Sequence, residues 1–442
     1  MALAEAPIQG LGLLDSILSD DAFRPKEPMS FDEIGVTPAL IETLMLKILV
    51  QLGSCPGRDM ASRLALSFGM VERVLNSLRN RQLVVHKGHA PLNDYEYTLT
   101  EDGQKRGRAA LQACAYTGTI PVPIEDYIVS VEAQTIRAEP TKRANLEKAF
   151  SGISVERDMF DVLGPAINSG AGLFLYGAPG NGKTTLAKRI TACFGQDVWI
   201  PRTIIVDGTF INFFDSAYHE VVQEDQSSLV KSSDFDRRWV KIRRPTVVVG
   251  GELTMDNLEI CHDPVTNVSE ASLQMKSNCG CLLIDDFGRQ RIEPTELLNR
   301  WIIPLENRID YLTIATGKKI QVPFDQLIIF STNLEPNQLA DDAFLRRIPY
   351  KLEVGDPSES EFHSLCQFVS KSMNCTYKKD VIQTLIDKHY RPNKRKLRRC
   401  HPRDLLTQIR NYCVYNDLPM EMRNEYFDRV VASYFTMMSE VD

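Results

Sequence analysis

The chain has 442 residues, a length that accommodates two or three domains, each with its own core. Hydrophobic residues make up 43% of the sequence and charged residues 25%, a composition that excludes the disordered and fibrous classes. The formal net charge of -7 disfavours general attraction to nucleic acid or to anionic membranes, so such partners would need a local basic surface.

The N-terminal stretch MALAEAPIQGLGLLDSILSD has acidic residues and no basic segment, which is unlike a secretory signal. No apolar stretch approaches the roughly 20 residues that a membrane helix needs. The ten cysteines include no CxxC pair, so we expect free or buried thiols. These features predict a cytoplasmic protein in a reducing compartment, without membrane insertion.

Residues 37–116 have the pattern of a small helical domain with a β-hairpin. Apolar residues repeat at helical spacing in three segments, and two β-type runs and another helix follow. The elements are a helix from Thr37 to Gly53, a short helix near 58–66, a helix from about Met70, two runs in LVVHKGHAPLNDYEYTLT, and a helix from Glu101 to about Cys114. This order resembles a winged helix-turn-helix domain and leaves residues 1–36 as a leader.

A winged helix often binds DNA by placing its third helix in the major groove and its wing against phosphate. The side chains in those positions are Arg73, Asn76, Arg79, Arg81 and Lys87. The same helix carries Glu72, the whole chain is acidic, and many winged helices bind only proteins. Both DNA and protein therefore remain candidate partners of this domain.

The remaining chain divides into a linker, an α/β domain and a helical domain. Residues 117–148 contain two prolines around Val122 and a charged stretch, which predicts a linker with one short helix. An α/β domain is expected over 149–355. Helical patterns recur over 356–442, near Ser358–Ser372, Lys379–Tyr390, Pro402–Tyr415 and Met420–Met437.

The segment GLFLYGAPGNGKTTLAKRI is an apolar strand, a glycine-rich loop and a helix start, and it matches G-x-x-x-x-G-K-[ST] in that context. The glycines let backbone N–H groups approach phosphate oxygens, and the helix N-terminus adds partial positive charge. We expect Lys183 to reach the β- and γ-phosphates and Thr184 to ligate Mg²⁺. The residues expected at the nucleotide are Gly177, Ala178, Pro179, Gly180, Asn181, Gly182, Lys183, Thr184 and Thr185.

Two adjacent carboxylates end the apolar run in LLIDDFG. The glycine-rich segment has the pattern of a phosphate-binding loop (P-loop). Such a loop requires a second strand whose terminal aspartate holds the metal, and the carboxyl ends of parallel strands lie together. We therefore expect Asp285 to be the Mg²⁺ carboxylate and Asp286 to polarise the attacking water. The alternative is that Asp286 only caps the turn at Phe287 and Gly288.

Together these motifs resemble those of AAA+ ATPases over roughly residues 150–440, with the P-loop as Walker A and LLIDD as Walker B. LIIFSTNL resembles sensor 1, where Asn333 would orient the water beside the γ-phosphate. DDAFLRRI resembles the stretch that carries the arginine finger, with Arg347 preferred and Arg346 as the alternate. HPRDLL resembles sensor 2, which would place Arg403 over the phosphates.

The resemblance implies an α/β fold with a parallel sheet and a C-terminal helical lid. It also implies ATP hydrolysis with Mg²⁺ in a homo-oligomeric ring, a hexamer by expectation. One departure is Asp286, because the family usually has glutamate there. Aspartate is one methylene shorter and loses about 1 Å of reach, which would slow hydrolysis unless the strand end lies closer to the water.

Two stretches of the α/β domain point to a subgroup. IPRTIIVDG is expected to form a strand, and a long insertion that includes GGELTMDNLEI follows it. DYLTIATGKKIQVPF predicts a β-hairpin and is similar to the hairpin before sensor 1 in MoxR-like, magnesium-chelatase-like and enhancer-binding ATPases. The similarity implies contact with a substrate in a central pore, and the alternative is a hairpin that only packs.

The segment RPNKRKLRRCHPR in the helical domain is strongly basic. Nucleic acid, the acidic surface of a neighbouring subunit, and solvent are its candidate surroundings. Its basic residues are Arg391, Lys394, Arg395, Lys396, Arg398, Arg399 and Arg403.

Three functions are therefore compatible with the sequence. The first is an ATP-driven machine that remodels a protein target, with the winged helix as adaptor. The second is a DNA-associated ATPase or regulator, and the third is a low-turnover switch that signals by nucleotide-dependent assembly. Steep salt dependence of duplex binding would favour the second of these, and vanishing turnover the third.

Overall fold

The structure, a computed structural model, describes residues 23–138, 140–151, 157–195, 197–222, 235–339 and 345–435. Most of the expected leader, residues 1–22, lies outside the described residues. Within the described ranges, no helix is both long enough and apolar enough to cross a membrane.

Helices occur throughout the described chain. They are α1 (Phe31–Ile34), α2 (Pro38–Leu52), α3 (Gly57–Leu64), α4 (Phe68–Asn80), α5 (Glu101–Ala113), α6 (Ile124–Ala133), α7 (Arg143–Ala149), α8 (Arg157–Ser169), α9 (Lys183–Thr191), α10 (Leu273–Lys276), α11 (Pro294–Arg300), α12 (Ile302–Asn307), α13 (Glu359–Ser372), α14 (Lys379–Leu385), α15 (His401–Tyr415) and α16 (Asn424–Tyr434). One turn of π-helix, Ile386–Tyr390, follows α14 directly.

The strands are short and belong to several sheets. They are β1 (Ser54–Pro56), β2 (Val84–Ala90), β3 (Asp94–Leu99), β4 (Val122–Pro123), β5 (Leu173–Tyr176), β6 (Val198–Pro201), β7 (Thr203–Val206), β8 (Thr209–Asn212), β9 (Trp239–Ile242), β10 (Thr246–Val249), β11 (Cys261–Asp263), β12 (Val268–Glu270), β13 (Cys281–Ile284), β14 (Ile309–Thr313), β15 (Lys319–Pro323), β16 (Leu327–Thr332) and β17 (Tyr350–Glu353).

The described residues group into two compact units. The first unit comprises residues from 1–140, 194–282 and 290–328, and the second comprises residues from 141–193, 283–289 and 329–442. This division differs from the predicted borders at 116, 148 and 355. It places the P-loop segment with the C-terminal helices, and it places the long insertion with the N-terminal helices.

A five-stranded sheet has the order β10-β13-β16-β5-β17. Both β16 and β17 run parallel to β5, so that Ile329 and Tyr350 each align with Leu173. The strands of a sheet covered on both faces are apolar throughout, and every residue of β16 is buried. The expected α/β class with a parallel sheet is confirmed.

The segment IPRTIIVDG contributes to two strands, and neither belongs to this sheet. Its residues form β6 and β7, which pair antiparallel with β9 and β8 in other sheets. The β7–β8 hairpin turns at the Asp207-Gly208 pair, where both residues have positive φ (46° and 79°), the geometry of a tight hairpin turn. The chain therefore folds back at once, and β10 occupies the sheet edge instead.

In the first unit, α2, α3 and α4 precede the β2–β3 hairpin, and β1 completes a sheet of order β1-β3-β2. Of the segment predicted as a linker, residues 117–140 belong to this unit and residues 141–148 to the second. β4 pairs parallel with β7, and α6 buries Ile124, Tyr127 and Val131 in a core shared with β6 to β9. This helix lies where one short helix was expected in the segment, and the apolar spacing within IEDYIVSV supports its packing.

A buried ion pair joins distant parts of the first unit. The guanidinium of Arg238 lies 2.7 Å from the carboxylate of Asp236, and both side chains are only 3% exposed. Arg238 also donates to the carbonyl of Ile34 at 2.7 Å. The pair therefore connects the insertion to the N-terminal helices.

In the second unit, α13 to α16 enclose an apolar core. Ser358 caps α13 by accepting from the N–H of Glu361, and the Glu361 carboxylate accepts from the N–H of Ser358. The helical patterns predicted for this region coincide with these helices, except that the second one widens into the π-helical turn and the last begins later, at Asn424. Residues 436–442 lie outside the described residues.

We predict that Arg238→Met lowers the free energy of unfolding of the first unit by about 3–5 kcal/mol, because it leaves the Asp236 charge buried without its cation. Arg243→Met is the matched control, since Arg243 pairs with Glu220 at 3.1 Å with both side chains 68% exposed. The control should change stability by less than about 1 kcal/mol.

The measurement is urea unfolding followed by tryptophan fluorescence. Trp199, Trp239 and Trp301 all lie in the first unit, so the signal reports on that unit. Equal, small shifts of both variants would contradict a stabilising role of the buried pair.

Candidate functional site

The loop between β5 and α9 depends on three glycines with positive φ, namely Gly177 (132°), Gly180 (81°) and Gly182 (85°). A Cβ at Gly177 would lie 2.6 Å from the carbonyl oxygen of Val354, and one at Gly180 would lie 2.5 Å from Cys400 Sγ. Both backbone conformation and close packing therefore require glycine here. The result is a loop with its backbone open to a ligand.

Lys183 begins α9 and folds over this loop. Its ammonium group donates to the carbonyls of Gly177 (2.8 Å) and Ala178 (3.2 Å) and to Asn333 Oδ1 (2.7 Å). Burial lowers the pKa of Lys183, while the carboxylates of Asp285 and Asp286 oppose the shift. A partly desolvated cation at this position is suited to pair with an anion.

Thr184 and Asp285 meet directly. Thr184 Oγ1 donates to Asp285 Oδ2 at 2.7 Å. A hydroxyl and a carboxylate oxygen are the kind of ligands that Mg²⁺ prefers, and Mg²⁺ usually takes its remaining ligands from waters and substrate phosphates. Within the described ranges no cluster of three or more His, Cys, Asp or Glu side chains could hold a metal alone. The pair thus fits a metal ion that arrives with a phosphate ligand.

Asp286 has a strained backbone, with φ at 51°. Its N–H donates to Asp285 Oδ1 at 3.1 Å, and its carbonyl accepts from the N–H of Arg289 at 3.0 Å, so the residue does form a turn. Its exposed side chain also lines the cavity beside Asp285, and its Oδ1 accepts from Asn333 Nδ2 at 3.5 Å. A turn-forming backbone and a carboxylate directed at the site coexist at this position.

These residues border a cavity of about 600 Å³ within the second unit. Polar and loop residues form part of its wall, and Met159, Leu365, Phe368 and Val369 form an apolar part. Sequence reasoning missed the apolar wall, because it belongs to no motif. Only the structure reveals it, through Phe368, a large aromatic side chain that is 58% exposed on α13.

A second set of contacts that the motifs do not reveal holds the loop from behind. The buried Asn181 side chain donates to Asp356 Oδ1 (2.9 Å) and to the carbonyl of Val354 (3.3 Å). Asp356 also pairs with Arg398, and the N–H of Cys400 donates to the carbonyl of Gly180 at 2.9 Å. The loop is thereby connected to the segments that precede α13 and α15.

The three candidate arginines lie in different surroundings. Arg403, in the first turn of α15, lines the cavity, and its Nε donates to Asp404 Oδ1 at 3.0 Å. Arg346 is exposed and Arg347 is half-buried, and neither belongs to the described lining of the cavity. The preceding part of DDAFLRRI, residues 341–344, lies outside the described residues.

The basic segment before α15 is largely neutralised within its own unit. Arg391 pairs with Glu359 at 2.9 Å, and Arg399 pairs with Glu361 at 3.5 Å. Arg398 pairs with Asp356. These partners lie in α13 or just before it. The charge pattern of the sequence does not reveal this pairing.

Comparison with known proteins adds little about function. Residues 358–433 match a family model described as "Domain of unknown function (DUF8689)". No curated protein matches the chain.

Several solved structures match at low identity. NtrX from Brucella abortus has 13% identity over 69% of this chain and 58% of that chain, with a TM-score of 0.39. The BchI–BchD complex of magnesium chelatase has 16% identity over 66% of this chain and 96% of that chain, with a TM-score of 0.33. RuvB from Thermotoga maritima, a Holliday junction branch migration motor, has 14% identity over 67% and 72%, with a TM-score of 0.37. This chain spans less than two thirds of the NtrX chain, and at these TM-scores the interpretation of the site depends on its own residues.

Proposed function

We propose that the second unit binds and hydrolyses Mg²⁺-ATP, and that the chain is an AAA+ ATPase. The observation that carries this proposal is the meeting of Thr184 with Asp285 beside the contact of Lys183 with Asn333. The motif order along the chain and a five-stranded sheet with β5 between β16 and β17 support it.

Each side chain has a defined task in this proposal. Magnesium bound with the nucleotide would polarise the terminal phosphate and offset its charge. Thr184 and Asp285 hold the metal, Lys183 pairs with phosphate oxygens, and Arg403 adds positive charge from α15. Asp286 and Asn333 lie close enough to share one water, so that the carboxylate accepts its proton while the amide orients it.

Nucleotide binding is tested with Lys183→Met. Loss of a charge-assisted interaction should weaken binding of a fluorescent ATP analogue by about 10- to 100-fold in an anisotropy titration. Lys188→Met, an exposed lysine on the same helix, is the control and should bind as the wild type does. Equal affinity of all three proteins would remove the basis of the P-loop assignment.

The role of Asp286 is tested with two variants. Asp286→Asn should leave ATP affinity nearly unchanged and lower turnover by about 10²-fold or more, because it removes the proton acceptor. Asp286→Glu should retain or increase turnover, since the longer side chain restores the usual reach. Phosphate release measures both, and a fully active Asp286→Asn protein would show that Asp286 only forms the turn.

We also propose that the active form is a homo-oligomeric ring, with a hexamer as the expected state, and that Arg347 serves as the finger for a neighbouring site. Its position outside the described lining of its own cavity is consistent with action on a neighbour. A finger supplied in trans stabilises charge on the terminal phosphate and contributes roughly 10³- to 10⁵-fold in rate.

Arg347→Ala should bind ATP normally, hydrolyse it poorly, and inhibit wild-type protein when the two are mixed. The measurement is phosphate release against the mutant fraction at fixed total protein. A linear decline would argue against coupling between neighbours. A fully active Arg347→Ala protein would redirect the assignment to Arg346.

For the target, we propose a protein that the ATPase remodels, with the winged-helix domain at residues 37–116 as adaptor. Of the residues that could contact DNA, Arg79 hydrogen-bonds to His86, Arg81 pairs with Glu42 at 2.5 Å, and Lys87 lies 3.7 Å from Glu96. The two carboxylates reduce the charge that Arg81 and Lys87 offer to phosphate, whereas Arg79 keeps its charge because a neutral imidazole accepts from it. Tight, steeply salt-dependent binding of duplex DNA would instead favour the DNA-associated alternative.

The β14–β15 hairpin provides a second candidate contact with the target, as in the MoxR-like group. Its strands pair antiparallel, so that Ile309 aligns with Pro323 and Thr313 aligns with Lys319. Tyr311 on the first strand is 49% exposed. Lys318 at its turn pairs with Asp207 at 2.6 Å.

All ten cysteines are free thiols, which supports the proposed cytoplasmic location.

A further inference from the structure

The first unit contains a cavity of about 330 Å³ that shares no residue with the nucleotide site. Helix α6, the residue that ends α12 and the second strand of the β14–β15 hairpin all contribute to its wall. Its volume is at the lower end of the range of small-molecule sites, about 300–1,000 Å³. A compact organic molecule would fill it.

Arg308 is the principal cation of this cavity. It ends α12 in the left-handed conformation (φ 59°), and its carbonyl accepts from the N–H of Phe324 at 3.0 Å, so the base of the hairpin fixes its position. Among the residues that the structure describes, its guanidinium has no hydrogen-bond acceptor and no carboxylate within 4.0 Å. Burial lowers the pKa of Arg308 and the nearby charge of Arg137 lowers it further, while the charge of Asp325 opposes both effects. A half-buried cation without a partner is costly, and an anion would offset that cost.

The other charged side chains in the wall either have hydrogen-bond or ion-pair partners or are exposed to solvent. Asp325 is buried, and its carboxylate accepts from Thr135 Oγ1 (2.7 Å) and from the N–H of Ile136 (2.9 Å). Arg137 lies 3.6 Å from the same carboxylate and keeps 45% of its side chain exposed. Glu132 is exposed, where solvent screens its charge. Arg308 therefore remains the cation whose guanidinium no described carboxylate contacts directly, and the charge of Asp325 acts on it only from a greater distance.

Apolar side chains complete the lining next to these arginines. They are Ile128, Val131, Val322 and Phe324. A ligand with only charged oxygens would leave this surface uncovered, whereas an amphipathic one would cover it.

We propose that this cavity is a binding site for a small organic carboxylate. Its planar carboxylate pairs with the guanidinium of Arg308, a geometry that favours two parallel hydrogen bonds, and Arg137 adds charge from the cavity edge. Its apolar part packs between α6 and the hairpin. Because the ligand contacts both elements, its binding would hold the hairpin against α6.

The test uses the full chain and three probes in ligand-observed NMR titrations. 3-Methylbutanoate carries a carboxylate and a branched apolar part, 3-methylbutanamide has the same shape without charge, and inorganic phosphate has charge without the apolar part. The carboxylate should bind at least about tenfold more tightly than either of the other probes. The amide cannot form the hydrogen-bonded charge pair, and phosphate cannot make the apolar contact.

Variants locate the binding. Arg308→Gln should weaken binding of 3-methylbutanoate by about tenfold or more, while Arg308→Lys, which keeps the charge, should retain most of it. Arg137→Gln, at an exposed position, provides a second variant and should also weaken binding, because it removes the charge that Arg137 adds at the cavity edge. Tryptophan fluorescence verifies that the first unit of each variant is folded.

Several results would overturn the proposal. Absence of carboxylate binding to the wild type, or equal binding of the amide, would exclude a carboxylate site. Tighter binding of phosphate would assign the arginines to a different ligand class. Unchanged binding in both Arg308→Gln and Arg137→Gln would place the ligand elsewhere.

Discussion

The parallel pairing of β16 with β5 determines where the candidate site residues lie. The pair ends with Thr332 aligned to Tyr176, so the loop of Gly177 and the side chain of Asn333 leave the sheet at the same edge. β13 is the other neighbour of β16, and Asp285 follows its last residue. The N–H of Phe287 donates to the carbonyl of Ser331 at 2.7 Å, which continues this alignment beyond the strand. A shift of one residue in this register would separate Lys183 from Asn333.

The glycine-rich loop also depends on contacts outside the sheet. Asn181 and Gly180 bind to Val354, Asp356 and Cys400, all of which belong to the segments around the C-terminal helices. The loop therefore cannot change its backbone conformation without breaking hydrogen bonds to these segments. This connection gives a physical reason for the loop and the helices to belong to one compact unit, although a long insertion separates them along the chain.

The elements that could be predicted from sequence are those with local signals. The P-loop needs glycines at fixed positions, and an aspartate directly after a buried strand is typical of a metal carboxylate. In the structure Lys183 contacts Asn333 and Thr184 contacts Asp285. The hairpin at 309–323 carries its own alternation and turn. Each of these features depends on neighbours in sequence.

The features that could not be predicted depend on residues far apart in the chain. Both IPRTIIVDG and TVVV have high strand propensity, and only the pairing partners decide which one joins the parallel sheet. The basic segment before α15 shows its charges in the sequence, but its partners Asp356, Glu359 and Glu361 become visible only in the fold. The Arg308 cavity combines three separate segments and has no motif.

The proposed function requires that Asp285 and Thr184 hold a metal ion together with a nucleotide. Mn²⁺ suits the same oxygen ligands as Mg²⁺ and gives an EPR signal that changes on binding. We predict that the wild-type chain binds Mn²⁺ in the presence of a non-hydrolysable ATP analogue. Asp285→Asn should weaken that binding by about tenfold or more, while Asp286→Asn leaves it unchanged. Equal Mn²⁺ binding by wild type and Asp285→Asn would contradict the account.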